Sequence, residues 1–119
     1  MERYLHDCLY PVMLGANAQC HACVRHMQKR YGIGSTVLCK KRTLTLRVLP
    51  AVTVIEAPPT LSDELLLTIL RDVETAGGAR VPLLVLCDGD YAAFVARNRA
   101  ALEERFIMRR AEELLGEKF

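Results

Sequence analysis

Apolar residues recur along this chain in two ways, as short unbroken runs and as longer stretches in which they return every three or four positions. Pro11-Val12-Met13-Leu14 is an unbroken run. After the turn Gly15-Ala16-Asn17, residues Cys20, Cys23, Val24, Met27 and Tyr31 fall on one face of a helix. Arg25, Gln28, Lys29 and Arg30 then face water, and Gly32 supplies a left-handed stop. Ile33 to Cys39 reads as a second strand reached through Gly34. A β, α, β order within one sheet predicts a right-handed crossover between parallel strands.

The same alternation continues. Lys40-Lys41-Arg42 closes the second strand, and Thr43 to Leu49, with Leu44, Leu46 and Val48 alternating with polar neighbours, fits either an edge strand or an extended loop. Val52-Thr53-Val54-Ile55 is a third strand, ended by Pro58-Pro59, which neither a helix nor a ladder can continue through. Ser62 caps a second helix that keeps Asp63 and Glu64 in its first turn. It buries Leu66, Ile69, Leu70 and Val73 and stops at Gly77-Gly78. Val81 to Cys87 is almost wholly apolar, as expected of a central strand covered on both faces. Asp88-Gly89-Asp90 leads into a third helix with Tyr91, Phe94, Val95 and Asn98 on one face, extended by a further turn from Ala100 to Arg105. Phe106-Ile107-Met108 is a last short strand, and Arg109 to Gly116 a last helix. The pattern predicts an α/β fold, a parallel sheet of four to five strands with helices on both faces.

Composition narrows the function classes. With 119 residues and 51% hydrophobic residues, positions 1–119 make one domain with an ample core. Residues 1–60 carry eight basic and three acidic side chains, and residues 61–119 carry eight basic and eleven acidic. Neither half forms a basic patch interleaved with aromatics, so no nucleic-acid partner is expected. Glu2, Arg3, His6 and Asp7 break any secretory core, and no apolar run reaches spanning length. A cytoplasmic protein with no membrane partner follows as the expectation. Five cysteines, an odd number lying mostly in apolar segments, read as buried reduced thiols.

Three motifs offer chemistry. Cys20-His21-Ala22-Cys23 has the spacing of zinc and thiol-disulfide sites. A structural zinc needs four ligands, however, and His21 and His26 lie off the face that the two cysteines share. A redox role has Cys20 in the first helical turn to support it, where the helix dipole favours a thiolate, and core packing is the competing reading. Gly15-Ala16-Asn17-Ala18 has one glycine where a dinucleotide fingerprint needs three. Lys40-Lys41-Arg42 is either an anion contact or a solvated cluster. Asp88 and Asp90 put two carboxylates at the carboxyl end of a buried strand, suited either to a cation or substrate amine or to helix capping. Ser35 and Ser62 occupy strand and cap positions, which leaves no hydrolytic triad.

Taken in order, Tyr10 to Asn17, Arg30-Tyr31-Gly32-Ile33-Gly34, Leu86-Cys87-Asp88-Gly89-Asp90-Tyr91 and Asn98 to Phe106 resemble the amino-terminal domain of ATP-grasp ligases. Among these, the bacterial carboxylate–amine ligases related to carbamoyl-phosphate synthase and D-aspartate ligase are the most similar. The resemblance implies a Rossmann-like three-layer preATP-grasp domain that lines an acceptor-substrate pocket through Gly15, Asn17, Asp88 and Tyr91, with Asp90 beside them. It implies that ATP and magnesium are bound by later domains of a longer parent chain and that this domain is catalytically silent alone. The small carboxylate or amine substrate and those ATP-binding domains are then the expected partners. Cys20, Cys23 and the basic Lys40-Lys41-Arg42 segment depart from that pattern. The alternative expectation is a free-standing Rossmann-like binding or protein-interaction module.

Overall fold

The computed structural model describes residues 9–41, 52–87 and 89–116. Five strands, β1 (Leu9–Leu14), β2 (Ser35–Cys39), β3 (Val52–Glu56), β4 (Val81–Leu86) and β5 (Ile107–Arg110), form one sheet in the order β3-β2-β1-β4-β5. Every pairing is parallel. β1 lies in the middle, in register with β2 from Val12 opposite Thr36 and with β4 from Leu9 opposite Val81. The most apolar run, β4, is its neighbour rather than the centre itself.

Helices cover both faces, which gives the three-layer, Rossmann-like architecture. Strand residues alternate between two core clusters because successive side chains leave opposite faces of a sheet. Met13, Val37, Cys39, Leu83 and Val85 meet α1 (Ala18–Tyr31) and α5 (Ala111–Gly116) through Cys20, Cys23, Val24, Met27 and Leu114. Val12, Leu14, Leu38 and Leu84 meet α2 (Asp63–Ala76), α3 (Ala92–Arg97) and α4 (Arg99–Glu103) through Leu66, Leu70, Phe94 and Leu102. Each fully buried side chain of this size contributes about 1.5–3 kcal/mol of transfer free energy.

The local signals explain the element ends. Asn17 and Ser62 cap α1 and α2 by accepting from the N–H of Cys20 and Leu65. Gly32 closes α1 at φ 69°, a left-handed conformation that glycine adopts without a Cβ penalty. The expected second strand starts later, at Ser35. The third helix divides into a 3-10 turn at Gly89–Tyr91, α3 and α4, with Asn98 at the junction. The last strand runs on through Arg109 and Arg110, because β5 pairs with β4 as far as Leu86 opposite Arg110, and α5 begins only at Ala111. The reading of Thr43 to Leu49 lies outside the described residues. Among the described residues no helix is long and apolar enough to cross a membrane.

Candidate functional site

The strand order reverses between β1 and β4: the chain moves from β1 outward to β2 and β3, then returns to β4 on the other side. Open parallel sheets bind ligands outside the carboxyl ends of their strands at such a switch point, where the two loops part in opposite directions. Asn17 stands there. Its Oδ1 accepts from the Cys20 N–H at 3.0 Å and its Nδ2 donates to the Cys87 carbonyl at 2.8 Å, so one side chain caps α1 and ties it to the end of β4. The Asn17 carbonyl accepts the first helical bond, from the His21 N–H at 3.1 Å. Helix geometry therefore leaves the exposed Ala18 and Gln19 N–H groups without an intrahelical acceptor at this edge.

The ladder continues one residue past the strands. Gly15, at φ 110°, donates its N–H to Leu38 at 2.8 Å, Cys87 donates to Leu14 at 3.0 Å, and Ala57 donates to Cys39 at 2.8 Å. The Gly15 N–H is thus committed to the sheet, and any contact from this turn to a ligand falls to the residues after it. Lys40 and Lys41 follow β2 at the same edge and are exposed.

The other sequence-derived positions divide. Asp90 is exposed in the 3-10 turn that follows β4. Asp88 lies outside the described residues. Tyr91 is 1% exposed, and its hydroxyl donates to the Ala57 carbonyl at 2.7 Å, so the phenol crosses the core from the β4 side to the loop after β3. Gly15, Asn17 and Asp90 are thus brought to one edge, with Tyr91 beneath it.

Two features were not legible in the sequence. Asp63, in the first turn of α2, receives a bidentate bond from Arg97 with both N···O distances at 2.8 Å, and a third bond from Asn98 at 3.0 Å. Hydrogen bonding from Arg97, then from Asn98, lowers the Asp63 carboxyl to about 2. The three residues are 34 and 35 positions apart in the chain, a separation that no periodicity announces. The second feature is a groove of about 310 Å³ toward the amino ends of β1, β2 and β3, lined by Tyr10, Thr36, Thr53, Ile69 and Asp72 among others. Tyr10 and Thr36 hydroxyls share a 3.1 Å hydrogen bond at its floor, and the Arg80 guanidinium stacks 4.5 Å from the Tyr10 ring centroid. His21, on the flank of α1, is shifted below the ordinary imidazole value by burial and by the nearby Arg25 charge.

Cys20, Cys23, Cys39 and Cys87 are buried and not joined in disulfides. Among the described residues no three His, Cys, Asp or Glu side chains are arranged to hold a metal ion. Comparison with protein-family models, curated proteins and solved structures returned no match.

Proposed function

We propose that this chain is the amino-terminal substrate-positioning domain of an ATP-dependent carboxylate–amine ligase of the ATP-grasp kind, silent by itself. The observation that carries this reading is the carboxyl edge at the β1/β4 switch point, where Asn17 sets the start of α1 beside the ends of β1, β2 and β4. The Ala18 and Gln19 N–H groups, the positive end of the helix dipole and the ammonium groups of Lys40 and Lys41 favour a substrate carboxylate on the β2 side. In this reading Asp90, exposed on the β4 side, would orient an amine. In such a ligase the carboxylate takes the γ-phosphoryl group of ATP, and the amine then attacks the acyl phosphate and expels phosphate. Later domains would hold ATP and magnesium, and this chain would supply orientation, which lowers the barrier by fixing the reactants relative to each other.

Amide NMR of the 119-residue chain titrated with small mono- and dicarboxylates tests this assignment. The expected result is saturable shifts at Ala18, Gln19 and Lys40, weakened several-fold in Lys40→Ala/Lys41→Ala, with no ATP hydrolysis. Shifts absent from this edge, or ATP turnover by the isolated chain, would overturn it. The groove beneath α2 favours a second reading, a free-standing binding module, for which the shifts would gather at Tyr10, Thr53 and Asp72.

A further inference from the structure

On the face of the sheet that α2 covers, the carboxyl half is apolar, whereas the amino half carries a hydroxyl on each of three neighbouring strands: Tyr10 on β1, Thr36 on β2 and Thr53 on β3. Thr36 and Thr53 are register partners, and the 3.1 Å bond between the Tyr10 and Thr36 hydroxyls offsets the cost of burying Thr36, which is 4% exposed. Facing them, the later turns of α2 supply apolar Ile69, Val73 and Ala76 and one carboxylate, Asp72. The groove between measures about 310 Å³, at the lower end of the ~300–1,000 Å³ of small-molecule sites. Its floor is fixed before any ligand arrives. Gly77, just past α2, packs so closely on the Tyr10 ring that a Cβ there would fall 2.7 Å from Cδ2. The Arg80 guanidinium stacks 4.5 Å from the centroid of the same ring, and Arg80 Nε donates to the Gly77 carbonyl at 3.1 Å.

We propose that this groove binds a small organic ammonium ion, an apolar body the size of an aromatic ring bearing a primary amine, with Asp72 as its counter-charge. The inference gives the groove a ligand class and is independent of the ligase reading, whose surface lies at the opposite, carboxyl ends of the strands. Asp72 is the one charged side chain among the described residues that line the groove, and it forms no ion pair among them. Arg80 reaches the region only through the Tyr10 ring and the Gly77 carbonyl and does not line the groove.

Charge and apolar surface act together here. A carboxylate beside apolar walls attracts a cation more strongly than one in open water, because the walls displace solvent of high dielectric constant. The ring of the ligand covers Ile69, Val73 and Ala76, surface that otherwise stays in contact with water. The bond between the Tyr10 and Thr36 hydroxyls uses one of their two hydrogens, which leaves the other for a polar substituent on that ring. Since Tyr10 is already positioned by Gly77, Arg80 and Thr36, binding orders little of the protein.

The test is amide NMR of the 119-residue chain at neutral pH with benzylamine, benzyl alcohol and benzoate, probes of one size and different charge. Benzylamine should give saturable shifts at Tyr10, Thr53 and Asp72, with an affinity about five-fold above that of the other two. Asp72→Asn, a change at an exposed position, should bring benzylamine down to the level of benzyl alcohol. No saturable shifts at the groove, equal binding of benzylamine and benzyl alcohol, or an unchanged benzylamine affinity in Asp72→Asn would overturn the proposal. The comparison of the three probes on the wild type decides the question without the variant. Benzoate shifts at Ala18 and Gln19 report on the carboxyl edge separately, so either site can fail alone.

Discussion

At the scale of single residues, Asn17 carries two structural duties at once. It satisfies one orphan N–H of α1 and the carbonyl of Cys87, a residue 70 positions away. Asn17→Ala should therefore cost about 1–3 kcal/mol, a lost cap of ~1 kcal/mol plus a partly buried carbonyl left without its donor. Asn17→Ser should recover the cap alone and fall between the two. Urea unfolding of the three proteins checks the order, and equal stability of the alanine and serine variants would remove the cap from the account. The sequence places the start of the helix at the turn Gly15-Ala16-Asn17, and the structure makes Asn17 its cap. Its bond to Cys87 depends on where β4 docks and leaves no local trace.

Among elements, the contact with the clearest chemical consequence joins α2 to the α3/α4 junction through Asp63, Arg97 and Asn98. The Asp63 carboxyl is lowered to about 2 in the folded protein, against about 3.9 in an unfolded chain. A depressed carboxyl contributes stability that is complete above the unfolded value and is lost as pH falls toward the folded one. The stability gap between the wild type and Asp63→Asn should thus be constant from pH 7 to about pH 5, then shrink between about pH 4 and 2. Chemical denaturation across that range measures it, and a gap that widens on acidification would contradict the assignment. The exposure of the Arg97 side chain, 56%, keeps the pair sensitive to salt, so the gap should also narrow as ionic strength rises.

For the whole molecule, Tyr91 shows how the two halves of the sheet are joined across one face. Its buried hydroxyl bonds the Ala57 carbonyl, which links the turn after β4 to the loop after β3 although β1 and β2 lie between them in the sheet. Tyr91→Phe should destabilise the fold by about 1–2 kcal/mol, because the buried carbonyl loses its donor. It should leave carboxylate-induced shifts at Ala18 and Gln19 in place. Loss of those shifts in a folded Tyr91→Phe protein would make the phenol part of the binding surface as well as the core.

The sequence by itself determined the element types, most of their ends and the α/β class. Caps, glycine stops and apolar periods act over a few residues, and at Asn17, Gly32 and Ser62 they agree with the global fold. It missed where β5 ends, because Arg109 and Arg110 are polar residues held in the ladder by pairing with Val85 and Leu86. Tertiary structure alone decided the sheet order, the gathering of Cys20, Cys23, Cys39 and Cys87 into one buried cluster, the Asp63 clamp and the reach of Tyr91 to Ala57. Each of these joins residues tens of positions apart, and the energy that selects them comes from burying whole helix and sheet faces together, a quantity no short window of sequence contains.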